Sequence, residues 1–152
     1  MTLVLLPSHA LNWETLARFG RWGEFERWKG DLVAALASAS PAPPPLWDCT
    51  GYTDESTESV PPPGDRQTQM RWHWDSSHVR RELGDAVVDQ VLGTGGSREV
   101  PCLALDAQSL PGVLERIRTR QQRYRTEAAS DQRALINVAR DRLLGVATAQ
   151  KR

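Results

Sequence analysis

At 152 residues, with 39% hydrophobic and 25% charged side chains, the chain is long enough for one domain with its own core and has a globular composition. No run approaches the roughly 20 consecutive apolar residues that cross a bilayer, and the opening residues lack the basic stretch and cleavage site of a secretory signal. Net charge is zero, and with no nucleic-acid reader motif and no basic stripe interleaved with aromatics, nucleic acid is not an expected partner.

"TLVLLP" (2–7) is a short continuous apolar run closed by proline, as in a strand of a parallel sheet buried on both faces. A buried strand at this point reads as the continuation of a larger domain with a portion upstream. After "SHAL", Asn12 is placed to cap a short helix with Glu14 in its first turn and Gly20 at its close. A second helix is expected from about Trp22 to Ala39. Phe25, Trp28, Leu32 and Leu36 form its apolar stripe, while Glu24, Glu26, Arg27 and Lys29 lie mostly elsewhere.

"SPAPPP" (40–45) ends that helix, because proline lacks the N–H and disfavours helical geometry before it. "LWDCTGY" (46–52) reads as a second short strand leading into a polar loop over 53–71, long enough to suggest a lid or an edge. A helix is expected from Asp75, with Val79, Leu83, Ala86, Val87 and Val91 on one face and "GTGG" (93–96) as its C-cap and turn. "VPCLAL" (100–105) is strand-like. Ser109 and Pro111 then mark the start of a helix carrying Leu110, Val113, Leu114, Ile117 and Tyr124, and another helix is expected over about Asp131 to Leu144.

Residues 98–152 hold eleven Arg/Lys against six Asp/Glu, which leaves eight against thirteen for 1–97. The basic segment reads as a solvated helix face, the alternatives being docking on the acidic body or on an anionic partner. Cys49 and Cys102 show no CxxC spacing or disulfide framework and read as two ordinary buried thiols.

The chemistry-bearing stretch is "HWDSSH" (73–78). An aspartate at a helix N-cap, as Asp75 is expected to be, accepts backbone N–H groups of the first turn with one oxygen and reaches a histidine three residues on with the other. Held this way, the His78 ring carries its proton on the nitrogen facing Asp75, and its second nitrogen is free to act as a base. The bland alternative is an Asp N-cap followed by an unremarkable histidine. His73 extends the pattern to H-x-D-x-x-H, but with no thiolate or second carboxylate beside it neither a metal nor any other cofactor is expected.

The strand, the helix pair, "LWDCTGY", the polar loop and "WHWDSSHVRRELGDAVVDQVLG" together resemble the C-terminal part of an SGNH/GDSL-type hydrolase or acyltransferase domain. The likeness is to the bacterial cell-surface branch associated with O-acetylation of polysaccharides, and it spans roughly residues 2–93. It implies an α/β fold: a partial flavodoxin-like parallel sheet with flanking helices over 1–96, followed by an α-helical extension over 97–152. It also implies that Asp75 is the acid and His78 the base of a Ser-His-Asp triad, with His9 and Ser8 beyond the first strand as accessory candidates. The Gly-Asp-Ser nucleophile block of that family is absent, and no G-x-S-x-G replaces it.

The resemblance therefore implies a protein inactive alone, completed by an upstream nucleophile-bearing segment or subunit and directed at an acylated carbohydrate or other ester. Relatives of this kind work outside the cytoplasm, whereas the sequence as written carries no address. The alternative class is a non-catalytic carbohydrate-binding or protein-interaction module.

Overall fold

The structure, a computed structural model, describes residues 1–62, 64–65, 67–96 and 100–127. In chain order the elements are β1 (Leu3–Leu5), α1 (Ala10–Arg18), α2 (Trp22–Ala39), β2 (Leu46–Asp48), α3 (Arg81–Leu92), β3 (Leu103–Ala104) and α4 (Leu110–Glu127). The helix expected over 131–144 lies outside the described residues. The three strands form one mixed sheet in the order β1-β2-β3, with β1 and β2 parallel and β3 antiparallel to β2. The protein is thus α/β.

Strand alternation sends neighbouring side chains to opposite faces, and the two faces have different covers. Leu3, Leu5, Leu46 and Leu103 pack with Val33 of α2 and with Val113, Ile117 and Tyr124 of α4. Val4 and Trp47 pack on the other side with Leu83, Ala86 and Val87 of α3. Each face of β1 therefore has a cover, but its three residues are half-buried and not fully buried as the sequence pattern predicts, and among the described residues its outer edge carries no further strand. The described part of the 97–152 segment contributes β3 and α4 to these same layers.

The α3 stripe and the Gly93 C-cap follow the sequence pattern: Leu83, Ala86 and Val87 are buried, and Gly93 adopts the left-handed conformation with φ 67°. Elsewhere the structure corrects the sequence reading. The N-cap of α1 is His9, whose Nδ1 accepts the Leu11 N–H at 3.1 Å, so Asn12 lies inside the helix. On α2 the buried line is Phe25, Lys29 and Val33, at steps of four, and Trp28 is 48% exposed. Lys29, placed by sequence among the solvated residues, is fully buried. Its ammonium donates to the Asp48 carboxylate of β2 and to Thr50 Oγ1 at 2.6 Å, and sits over the Phe25 ring. A lysine in an apolar stripe is tolerated because the facing strand end supplies the counter-charge. Burial lowers the Lys29 pKa, opposed by the Asp48 charge.

The cysteines are also corrected. Both are buried, but as a Cys49–Cys102 disulfide and not as thiols. The cause is register: Trp47 faces Ala104 and Asp48 faces Leu103, so the next antiparallel step sets position 49 opposite 102. The Cα atoms there lie 4.1 Å apart, shorter still than the roughly 4.5 Å of the closer cross-strand pairs.

A second buried polar cluster ties α4 to α1. Glu14, read by sequence as a first-turn acid, is buried and accepts from the Tyr52 hydroxyl at 2.7 Å and from Arg125 Nε at 3.0 Å, while Gln121 Nε2 donates to the Tyr52 oxygen at 2.9 Å. Burial, with the Glu14 charge beside it, pushes the Tyr52 hydroxyl pKa up and so keeps it a donor. Gly51, which has φ 112°, lets the chain leaving β2 pass against Ile117; a Cβ there would meet Ile117 Cγ1 at 3.1 Å.

Candidate active site

The Asp75–His78 pair forms, though not at a helix N-terminus. Asp75 Oδ1 accepts the backbone N–H of Ser77 at 2.7 Å and of His78 at 2.9 Å. Its Oδ2 lies 2.8 Å from His78 Nδ1. The capping hydrogen bonds are those expected of an aspartate at a helix start, yet α3 begins only at Arg81.

The reason is a competing ladder. Trp74 donates its N–H to the His78 carbonyl and Arg80 donates to the Trp72 carbonyl, both at 2.8 Å, around an isolated antiparallel bridge between His73 and Val79. Residues 72–80 thus form a tight hairpin whose tip carries the pair, and Arg80 is extended at φ −77°, ψ 163° before the helix starts. The helix expected from Asp75 is shortened by these six residues.

At the tip the pair is open to solvent: the side chains of His78 and Asp75 are 75% and 56% exposed. The two backbone N–H groups and the His78 ring hold the Asp75 carboxyl down to a pKa of about 2, so it stays ionised across the physiological range. A carboxylate facing Nδ1 makes that nitrogen the donor and leaves the Nε2 lone pair outward. No hydrogen bond to His78 Nε2 occurs among the described residues, and the ring is positioned to take a proton from a hydroxyl brought against it.

The hairpin is fastened to the carboxyl end of β1. His9, four residues beyond that strand, donates its backbone N–H to the Ser76 carbonyl at 3.1 Å. The His9 ring itself is fully buried. Its Nδ1 accepts from Leu11, and its Nε2 accordingly donates to the Glu58 carbonyl at 2.9 Å. Both ring nitrogens are therefore used in holding the chain. Ser8 is partly exposed next to this link, and no hydrogen bond joins it to His78 among the described residues.

The loop over 53–71 contributes what the sequence did not reveal. Glu58 accepts the N–H of Arg71 at 2.6 Å, the N–H of Trp72 at 3.0 Å and His73 Nδ1 at 2.8 Å. His73 is fully buried and meets His9 edge to face, with ring centroids 5.4 Å apart. Beside the hairpin an open groove of about 820 Å³ is lined by Gln69, Arg71, Trp72 and Arg80 and by Glu82, Asp85 and Asp89 of α3. Trp74, 63% exposed next to Asp75, carries the Arg80 guanidinium 3.9 Å above its ring.

Burial lowers the His9 pKa, the Glu58 carbonyl bond opposing it and the His73 charge reinforcing it. A neutral ring is also what its hydrogen bonds demand, since protonating Nδ1 would set it against the Leu11 N–H. The folded pKa lies below the ordinary value of about 6.5, so the unfolded chain binds the proton more readily. His9 therefore contributes its full stability above about pH 6.5 and loses it as pH falls from there toward the folded value. Denaturation midpoints measured across that range are expected to fall on acidification. In His9→Asn, which keeps a capping acceptor without a titrating ring, part of that slope is expected to vanish; an identical slope would refute the assignment.

No family model matches the chain, and neither the curated proteins nor the solved structures contain a significant match to it.

Proposed function

We propose that the chain is the acid–base part of a serine esterase or O-acyltransferase of SGNH type, built on a portion of a flavodoxin-like sheet. Asp75 is the orienting acid and His78 the base. The observation that carries this reading is the 2.8 Å Asp75–His78 contact, exposed at the carboxyl end of a strand that runs parallel to its neighbour, where α/β folds gather their reactive groups. The nucleophilic hydroxyl and the oxyanion donors belong to a second polypeptide segment that pairs with the free edge of β1. Pairing there would give β1 a neighbour on each side, in keeping with a strand covered on both faces.

In that assembly His78 Nε2 accepts the serine proton as the oxygen attacks the acyl carbonyl. The same proton then passes to the departing alcohol as the ester bond breaks. Water or an acceptor hydroxyl, deprotonated in turn by Nε2, releases the acyl group and restores the serine. Asp75 stays ionised throughout and fixes the ring tautomer. An acylated carbohydrate is the substrate class the family resemblance supports.

The test is hydrolysis of an aryl acetate by the chain co-expressed with the polypeptide encoded immediately upstream of it. Activity is expected only with both components, and His78→Ala is expected to lose about 10²–10⁴-fold, the usual worth of a positioned general base. Equal rates with and without His78 would remove the hydrolase reading.

A second reading is favoured by one observation. The groove of α3 carboxylates, Gln69 and the arginine-stacked Trp72 indole, with the arginine-stacked Trp74 joined to it through Arg80, offers the mixture of ring faces and polar partners that sugars use. Quenching of indole fluorescence by a polysaccharide, unaltered in His78→Ala, would identify a non-catalytic carbohydrate-binding module.

A further inference from the structure

Glu58 is bound twice to the same hairpin by different parts of itself. Its carboxylate gathers three donors from three consecutive residues at the base: the N–H groups of Arg71 and Trp72 and the ring of His73. Its main-chain carbonyl receives the His9 ring, and the His9 backbone N–H reaches Ser76 at the tip. His9 and His73 close the circuit by their edge-to-face contact.

Base and tip are thus fixed to one residue of a loop otherwise without regular structure. The Asp75–His78 pair flanks the tip attachment at Ser76 and is oriented there by its own local hydrogen bonds. The His73 ring has no hydrogen bond at Nε2 among the described residues, and its Nδ1 is held by the Glu58 carboxylate. A fully buried imidazole with a single anchor is placed by that anchor.

We propose that Glu58, acting through His73 and the backbone of residues 71–72, is a positioning residue that holds Asp75 in register with His78 Nδ1. The inference rests on the reading of that pair as an acid–base unit. It adds that the unit is preorganised from the loop over 53–71 and not from the turn alone. A carboxylate is required because it can accept all three donors. A glutamine at position 58 presents one oxygen and an amide that itself donates, so it must turn a donor toward one of the three.

The readout is the tautomer of the His78 ring, followed by long-range proton–nitrogen correlation spectra of the intact chain at alkaline pH. In the natural protein a proton predominantly on Nδ1 is expected. Glu58→Gln is expected to shift the population toward Nε2–H, the form preferred by a free histidine side chain. His73→Phe, which keeps the buried ring packing but removes the bond to Glu58, is expected to move it the same way. Asp75→Asn serves as the reference for a broken pair.

If Asp75→Asn leaves the His78 signature unchanged, the acid–base reading itself fails. If Asp75→Asn changes it while folded Glu58→Gln and His73→Phe both keep the natural signature, only the positioning role is overturned. Should both variants lose the folded spectrum, Glu58 is a folding determinant and the proposal likewise falls.

Discussion

Replacing Lys29 by methionine, with Asp48 left in place, is expected to destabilise the protein by roughly 3–5 kcal/mol, the usual penalty for leaving one member of a buried ion pair uncompensated. Both side chains are essentially inaccessible to water, so the stranded carboxylate has no solvent to turn to, and among the described residues Thr50 is its only other side-chain donor. A typical domain is stable by only about 5–15 kcal/mol, so this single change threatens folding at ambient temperature. Methionine matches the length of the lysine stem and leaves the packing on Phe25 nearly intact, which assigns the loss to charge. The double variant Lys29→Met, Asp48→Leu is expected to recover most of it, because a well-packed apolar pair replaces a buried ion pair at little cost. Urea midpoints of the two singles and the double complete the cycle; additive losses would show that the two groups are not coupled.

Reducing Cys49–Cys102 is expected to have an effect of similar size. The bond spans a sequence separation of 53 residues, and for a loop of that length the chain-entropy relation gives about 4 kcal/mol. In the fold the bridge does more than shorten the unfolded chain. It joins the exit of β2 to the entry of β3, where pairing extends over only two registered positions, and it lies within the cluster that seats α3. Around it Gln90 of α3 donates to the Cys102 carbonyl and accepts the Val100 N–H. Denaturant titration with and without a thiol reductant is the measurement. The midpoint is expected to drop, with the slope changing as the unfolded ensemble expands; coincident curves would show that the bridge contributes nothing.

How far the sequence disclosed all this varied with the range of the interactions involved. Periodicity placed α2, the α3 stripe and the Gly93 cap well, since these depend on neighbours three and four residues apart. The capping geometry of Asp75 and its reach to His78 were legible for the same reason. What it could not supply were partners set by distant segments. Lys29 looks solvated until Asp48 is placed across from it, and Glu14 until Tyr52 and Arg125 arrive. Cys49 and Cys102 become a bridge only once the β2–β3 register exists. The start of α3 moved from Asp75 to Arg81 because Trp72 and His78 offered carbonyls to a hairpin ladder that no local propensity announces. Glu58 lay in a loop whose composition signalled irregular structure, and a carboxylate serving three donors leaves no trace in a single sequence. The described portion of the basic segment, α4, also proved to be core on one side, its Arg118 pairing with Glu26 of α2.

The outer margin of β1 has a consequence for the protein in the cell. From Met1 to Ser8 there is no charged side chain, and Leu6 stands 59% exposed beside the strand. Natural edges are ordinarily blunted by a lysine, a bulge, an inward charge or sheer shortness; of these, the three-residue length of β1 is what limits its pull on foreign strands. On the reading that a companion segment covers this margin, that companion does double duty: it completes the chemistry and it acts as a chaperone. The two polypeptides would then need to meet during synthesis, while the sticky border is still bare.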